Sequence, residues 1–243
     1  MRVHYLQHVP FAGPGCIADW ARARRGTLSH TFFFAGEDLP PVDLFDLLVV
    51  LGGPINVYDH ERTPYLFREK RFVARCLAAS IPVLAISMGS QLLADVLGAP
   101  VRVNDESEMG WFPLELTPEA AGTAYFADAA PELEVLHWHK ETFDIPRSAT
   151  PIGSSAACAN QGFIYAENVI GLQFHLETTA TSVEGLITDG AHEFSEGRYV
   201  QSSREVMSHP ARFERANAQM RRVLDALEGK VSTRPGPNVL EMA

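Results

Sequence analysis

The chain is poor in cysteine: Cys16, Cys76 and Cys158 are its only three in 243 residues, odd in number and far apart. This excludes a disulfide framework and any CxxC metal site, and points to reduced, buried thiols in a cytoplasmic protein. Long apolar runs are also missing. Nothing approaches the ~20 residues of a membrane span, and the opening MRVHYLQHVPF lacks the apolar core of a secretion signal. Positive charge is scarce, with 20 Lys and Arg against 30 Asp and Glu for a net charge of −10. Nucleic acid and membrane surfaces, which require clustered cations, are thereby excluded as partners. There is no internal repeat and no linker that would separate two independent domains.

What remains is the composition of an ordinary globular protein, 46% hydrophobic and 21% charged, long enough for one large core. Strands are expected at Arg2 to Gln7, Thr27 to Phe34 and Leu47 to Leu51, with helices from Pro14-Gly15 to Gly26 and from Pro64 to Ser80. Strands alternating with helices of this length indicate a doubly wound, mostly parallel α/β sheet. The rhythm then changes. Val101 to Val103, Gly110 to Leu116, Leu133 to Trp138 and Phe163 to Ala166 read as short antiparallel pieces, and Val169 to Phe174 as a strand ending at His175. Ser182 to Phe194 and Ser203 to Glu228 are helical in pattern. In the second, Val206, Phe213, Met220, Val223, Leu224 and Leu227 form one apolar stripe, read as packing. The expected organisation is a domain over 1–200, a helical extension over 201–230 packed on it, and a mobile tail over 231–243.

Three motifs carry chemistry. Ile81 to Gly98 (IPVLAISMGSQLLADVLG) reads as strand, tight turn and helix with Ser87 at the apex. A hydroxyl on such a turn stands clear of the sheet, above the N–H groups of a helix start; the same Ser would also serve as a plain helix cap. Gln173-Phe174-His175-Leu176-Glu177 places His175 and Glu177 two residues apart. On a continuing strand they share a face, so the carboxylate can orient the imidazole as a general base. Gly52-Gly53-Pro54 follows the third strand, where glycines let backbone N–H groups approach a developing oxyanion.

In their order and spacing, VLGGPINVYD, PVLAISMGSQLLADVLGA, EMGWFPLELT, HWHKETFDIP, NQGF and GLQFHLETT resemble the successive blocks of class I, triad-type glutamine amidotransferases. The free-standing subgroup similar to the amidotransferase domain of GMP synthetase is the best match, and the resemblance runs from the first strand to Thr179. It implies a flavodoxin-like fold, no cofactor, no metal, and hydrolysis of the glutamine side-chain amide through a covalent γ-glutamyl intermediate. Ammonia would pass to a synthase partner in trans. By resemblance, Ser87 stands at the nucleophile, His175 at the base and Glu177 at its orienting carboxylate. Gly53 and Met88 would supply the oxyanion hole, and Gly52, Gln91, Trp138 and His139 would border the substrate.

The departures are as informative. The family has Cys where Ser87 stands, and Gly-Asp where Lys140-Glu141 stand. An alcohol depends wholly on its base, whereas a thiol is already a few per cent ionised at neutral pH, so Ser implies reduced or altered activity. Two histories account for Ser87, an engineered Cys→Ser change and native divergence; Ala85, Met88, Ser90 and Lys140 also depart, which favours the second. A Ser-His-Glu esterase or peptidase, and a non-catalytic binder of a small amino acid or partner enzyme, are the competing readings. His137 and His139 alternate on a strand as metal ligands do, but no carboxylate or Cys completes a recognisable set with them, His4, His8 or His192. Glu106, Glu108, Trp111 and Phe112 read as a structural lip, Cys76 as core. The C-terminal stripe offers the only surface suggestive of a homodimer.

Overall fold

The computed structural model describes residues 1–130, 132–190 and 196–231. The first half alternates as expected: β1 (Arg2–Gln7), α1 (Cys16–Ala23), β2 (Thr27–Phe32), β3 (Leu47–Val50), α2 (Leu66–Ala78), β4 (Val83–Ile86) and α3 (Met88–Val96). There follow β5 (Val101–Leu116), α4 (Pro118–Ala121), β6 (Glu132–Phe143), β7 (Thr150–Pro151), β8 (Gly153–Ser154), β9 (Gly162–Tyr165) and β10 (Val169–Leu172). The chain continues through α5 (Ser182–Gly190), α6 (Ser203–Met207) and α7 (Ala211–Val231).

The main sheet has seven strands in the order β2-β1-β3-β4-β10-β9-β7. From β2 to β10 all neighbours are parallel; β9 and β7 add an antiparallel edge. β3 and β4 read LLVV and VLAI and are buried at every position, because helices cover both faces. One apolar cluster joins α1 and α7 to the sheet, the other α2 and α3. This is the doubly wound, flavodoxin-like α/β arrangement. The strand order reverses between β1 and β3, and a crevice opens beyond the carboxyl ends of the strands at such a reversal.

Three expectations change. Val101–Val103 and Gly110–Leu116 are parts of one long strand, β5, with an irregularity between Val103 and Glu108. The polar run at 104–107 resembles a loop in sequence and forms that irregularity, while the residues on either side of it pair with β6, which extends to Phe143. The helix expected over Ser203–Glu228 is two, α6 and α7, since Pro210 cannot donate the helical hydrogen bond that would join them. The stripe residues of α6 and α7 are all buried in this chain's own core, where Trp111 packs edge-on against Phe213. That face is consumed internally and leaves nothing for the homodimer it suggested. The helix expected at 182–194 is seen to Gly190; residues 191–194, including His192, and the tail beyond Val231 lie outside the described residues. Among the described residues no helix is long and apolar enough to cross a membrane.

Candidate active site

Ser87 joins β4 to α3 with φ 54° and ψ −121°, a left-handed backbone that side chains other than glycine rarely adopt. The turn is held by its own hydrogen bonds. Ser87 N–H donates to Leu172 O at 2.7 Å, and Ser90 Oγ donates back to Ser87 O at 2.6 Å. The Ser87 hydroxyl makes no capping bond to α3, so it is not spent on the helix. α3 packs closely because Gly89 has no side chain; a Cβ there would lie 2.3 Å from Val50 O.

His175 and Glu177 follow β10. His175 Nδ1 lies 2.7 Å from Glu177 Oε1, both side chains buried. A carboxylate accepts, so Nδ1 carries the proton and Nε2 is left as the acceptor. Nε2 has no hydrogen-bond partner of its own. Two elements clamp this loop. Cys16 N–H at the start of α1 donates to Glu177 O at 2.8 Å, and Asn217 Nδ2 on α7 donates to Leu176 O and Thr178 O at 2.8 and 2.9 Å. Gly15, at φ +50°, is required here because a Cβ would sit 2.1 Å from Glu177 O.

A cavity of about 390 Å³ is lined by Ser87, His175 and Glu177 together. Gly52, Gly53, Met88 and Gln91 line it too, as do Trp138 and His139, so every site residue inferred from sequence meets in one place. Met88 is the first residue of α3, where a helix N–H has no partner four residues back. Gly52 lies close against Ser87, since a Cβ on it would be 3.0 Å from Ser87 Cβ. Gln91 uses its NH₂ on Gln173 Oε1 at 3.2 Å. Half-buried Lys140 lines the same space, and so does Glu141, whose carboxyl pKa is raised by burial although Asn56 donates to it. No cysteine competes for the role of nucleophile. Burial, helped by the Glu177 charge, pushes the Cys16 thiol up to about 12, burial raises that of Cys158, and Cys76 is sealed in the core.

Sequence reasoning missed several partners. His8, just beyond β1, meets Glu69 of α2 at 2.8 Å, both side chains fully sealed. Asn217 and Gln173 were given no role, and Glu108, read as part of a structural lip, is placed opposite His139 by the β5–β6 register. All depend on long-range pairing; the one available signal was polar residues standing at core positions of otherwise amphipathic helices.

A strained Ser on a strand-to-helix turn, a His fixed by a carboxylate and a glycine loop beside them form an arrangement of the kind that triad-type α/β proteins use for acyl chemistry. Comparison with known proteins agrees. Residues 35–191 match the model of glutamine amidotransferase class-I. The glutamine amidotransferase-like protein YfeJ of Salmonella typhimurium is 34% identical over 93% of this chain and 97% of its own. GMP synthase (glutamine-hydrolyzing) of Tolumonas auensis is 31% identical over 56% of this chain, which spans only 26% of that protein. Among solved structures, a glutamine amidotransferase of Thermotoga maritima superposes with a TM-score of 0.85 at 31% identity, covering 96% of this chain and 99% of that one. The chain belongs to the class I glutamine amidotransferase family.

Proposed function

We propose that the chain hydrolyses the side-chain amide of glutamine, or of a related γ-glutamyl compound, through a covalent ester on Ser87. The observation that carries this is the shared cavity: Ser87 on its strained turn, and His175 with Nδ1 tied to Glu177 and Nε2 otherwise unpartnered. In the reaction, Ser87 Oγ bonds to the amide carbon as its proton passes to His175 Nε2. The oxyanion is held by the N–H groups of Gly53 and Met88. Collapse breaks the C–N bond, His175 returns the proton to the departing nitrogen, and ammonia leaves. Water, deprotonated by His175, then cleaves the ester to release the free acid and restore Ser87.

Ammonia would pass to a synthase in trans, in keeping with the similarity to GMP synthase. One observation favours a second reading: an alcohol nucleophile suits esters better than amides, so a Ser-His-Glu hydrolase is the alternative. The test is ammonia release from glutamine by the native chain and by Ser87→Cys. Faster turnover by the Cys form supports amide chemistry. Two folded proteins that leave glutamine intact while the native one cleaves small esters would establish the alternative.

A further inference from the structure

A second cluster lies behind the cavity wall. Pairing of β5 with β6 brings Glu108, His137 and His139 together, with one donor atom from each within 4.8 Å of the others. We propose that this trio binds a divalent transition metal, zinc being the ion whose ligand preferences it meets best. Two imidazoles and a carboxylate are a familiar zinc set. Donors around a tetrahedral zinc stand roughly 3.3 Å apart, given bonds of about 2.0–2.2 Å. Here His139 Nε2 is 3.0 Å and His137 Nδ1 3.8 Å from Glu108 Oε2, either side of that spacing, and the two imidazoles lie within 4.8 Å of each other.

Hydrogen bonding points the same way. His139 Nδ1 lies 3.0 Å from the carbonyl of Glu141, which can only accept, so Nδ1 carries a proton. Its Nε2 stands 3.0 Å from Glu108 Oε2, a spacing that suits two ligand atoms on one ion as well as a hydrogen-bonded pair. A shared proton would satisfy that pair alone. It would leave His137 as it stands, fully buried with neither ring nitrogen hydrogen-bonded, and Gln161 Oε1 equally stranded. A metal ion would engage His137 as well. The supporting contacts of a metal site are present as well. Ser155 Oγ donates to Glu108 Oε1 at 2.7 Å, Gln161 Nε2 donates to Oε2 at 2.6 Å, and the Glu141 carbonyl orients His139.

His137 and Glu108 are sealed, whereas His139 lines the cavity, so an ion would enter from that side. Its consequence would be structural. It would pin β5 to β6, and the Leu136 carbonyl of β6 holds His175 N–H at 2.8 Å. The proposal is independent of whether the site cleaves amides.

The test uses metal-stripped, folded, full-length protein titrated with Zn²⁺ and, separately, Co²⁺. The expected result is one ion per chain by native mass spectrometry, visible bands of tetrahedral cobalt, and an unfolding midpoint raised by roughly 5 °C at ~100-fold excess over Kd. Glu108→Gln and His137→Asn should each weaken binding by about 100-fold or more, whereas exposed His60→Asn leaves it unchanged. Zinc-edge X-ray absorption on the native chain needs no variant, and should show two imidazoles, oxygen and no sulfur. Absence of stoichiometric uptake, a sulfur ligand, or binding indifferent to Glu108→Gln in folded protein would overturn the proposal.

Discussion

Two of the buried histidine–glutamate pairs among the described residues are almost equal in length, and they have different prospects. His175–Glu177, at 2.7 Å, opens on the cavity that also holds Ser87. His8–Glu69, at 2.8 Å, is sealed on all sides, with His8 stacked on Phe33 and its Cβ packed against Gly53. Taken alone, each is a carboxylate orienting an imidazole. Only the first shares a cavity with a hydroxyl, so access rather than the pair itself distinguishes it as a candidate site. The second is a structural brace behind the glycine loop.

Substitution should separate the two. The largest effect is expected from His175→Asn, which should lower turnover by about 10³-fold or more while the folded protein keeps its thermal midpoint. His8→Asn should do the reverse: it leaves Glu69 buried and unpaired, at a cost on the order of 3–5 kcal/mol in stability by denaturant titration, with turnover per folded molecule far less affected. A His8 variant that folds normally yet is as inactive as the His175 variant would break the comparison. Next comes Asn217→Ala, which strands the carbonyls of Leu176 and Thr178. We expect about 1–3 kcal/mol of lost stability and a roughly tenfold drop in turnover as the Glu177 loop loosens.

A third histidine sharpens the contrast at the small end. His4 is buried against the hydroxyls of Ser29 and Thr31 with no carboxylate bonded to it, and burial, outweighing the Glu37 charge, lowers its pKa to about 4. Its folded value lies below the ordinary 6.5, so the unfolded chain binds the proton first as pH falls. The stability it contributes is complete above pH 6.5 and drains away toward pH 4, by on the order of 3 kcal/mol. His4→Gln should flatten that part of the stability–pH curve, measured by thermal unfolding across the range.

How much of this was readable in the sequence depended on how local each feature is. β1 and β4 fall on their expected residues because short apolar runs between Pro, Gly and polar stops leave little choice. Ser87 and the His175–Glu177 pair were legible for the same reason, since turn and spacing are written within a few residues. β5 was not legible as one strand, because the polar stretch joining its two halves has loop composition and only the pairing of both halves with β6 unites them. Glu108 beside His139, Glu69 beside His8 and Asn217 beneath Leu176 arise from strand register and helix packing, which no local pattern encodes. The sequence argument against a metal looked along the chain for a carboxylate, and the sheet supplies one beside His137 and His139 from the neighbouring strand.

The most direct test of the central claim is the reaction of Ser87→Cys protein with a glutamine-like diazoketone, read by intact mass and peptide mapping. The account predicts one adduct per chain, at position 87, that glutamine suppresses and that His175→Asn slows markedly. A folded protein that stays unmodified, or that is labelled at Cys16, Cys76 or Cys158 instead, would contradict it.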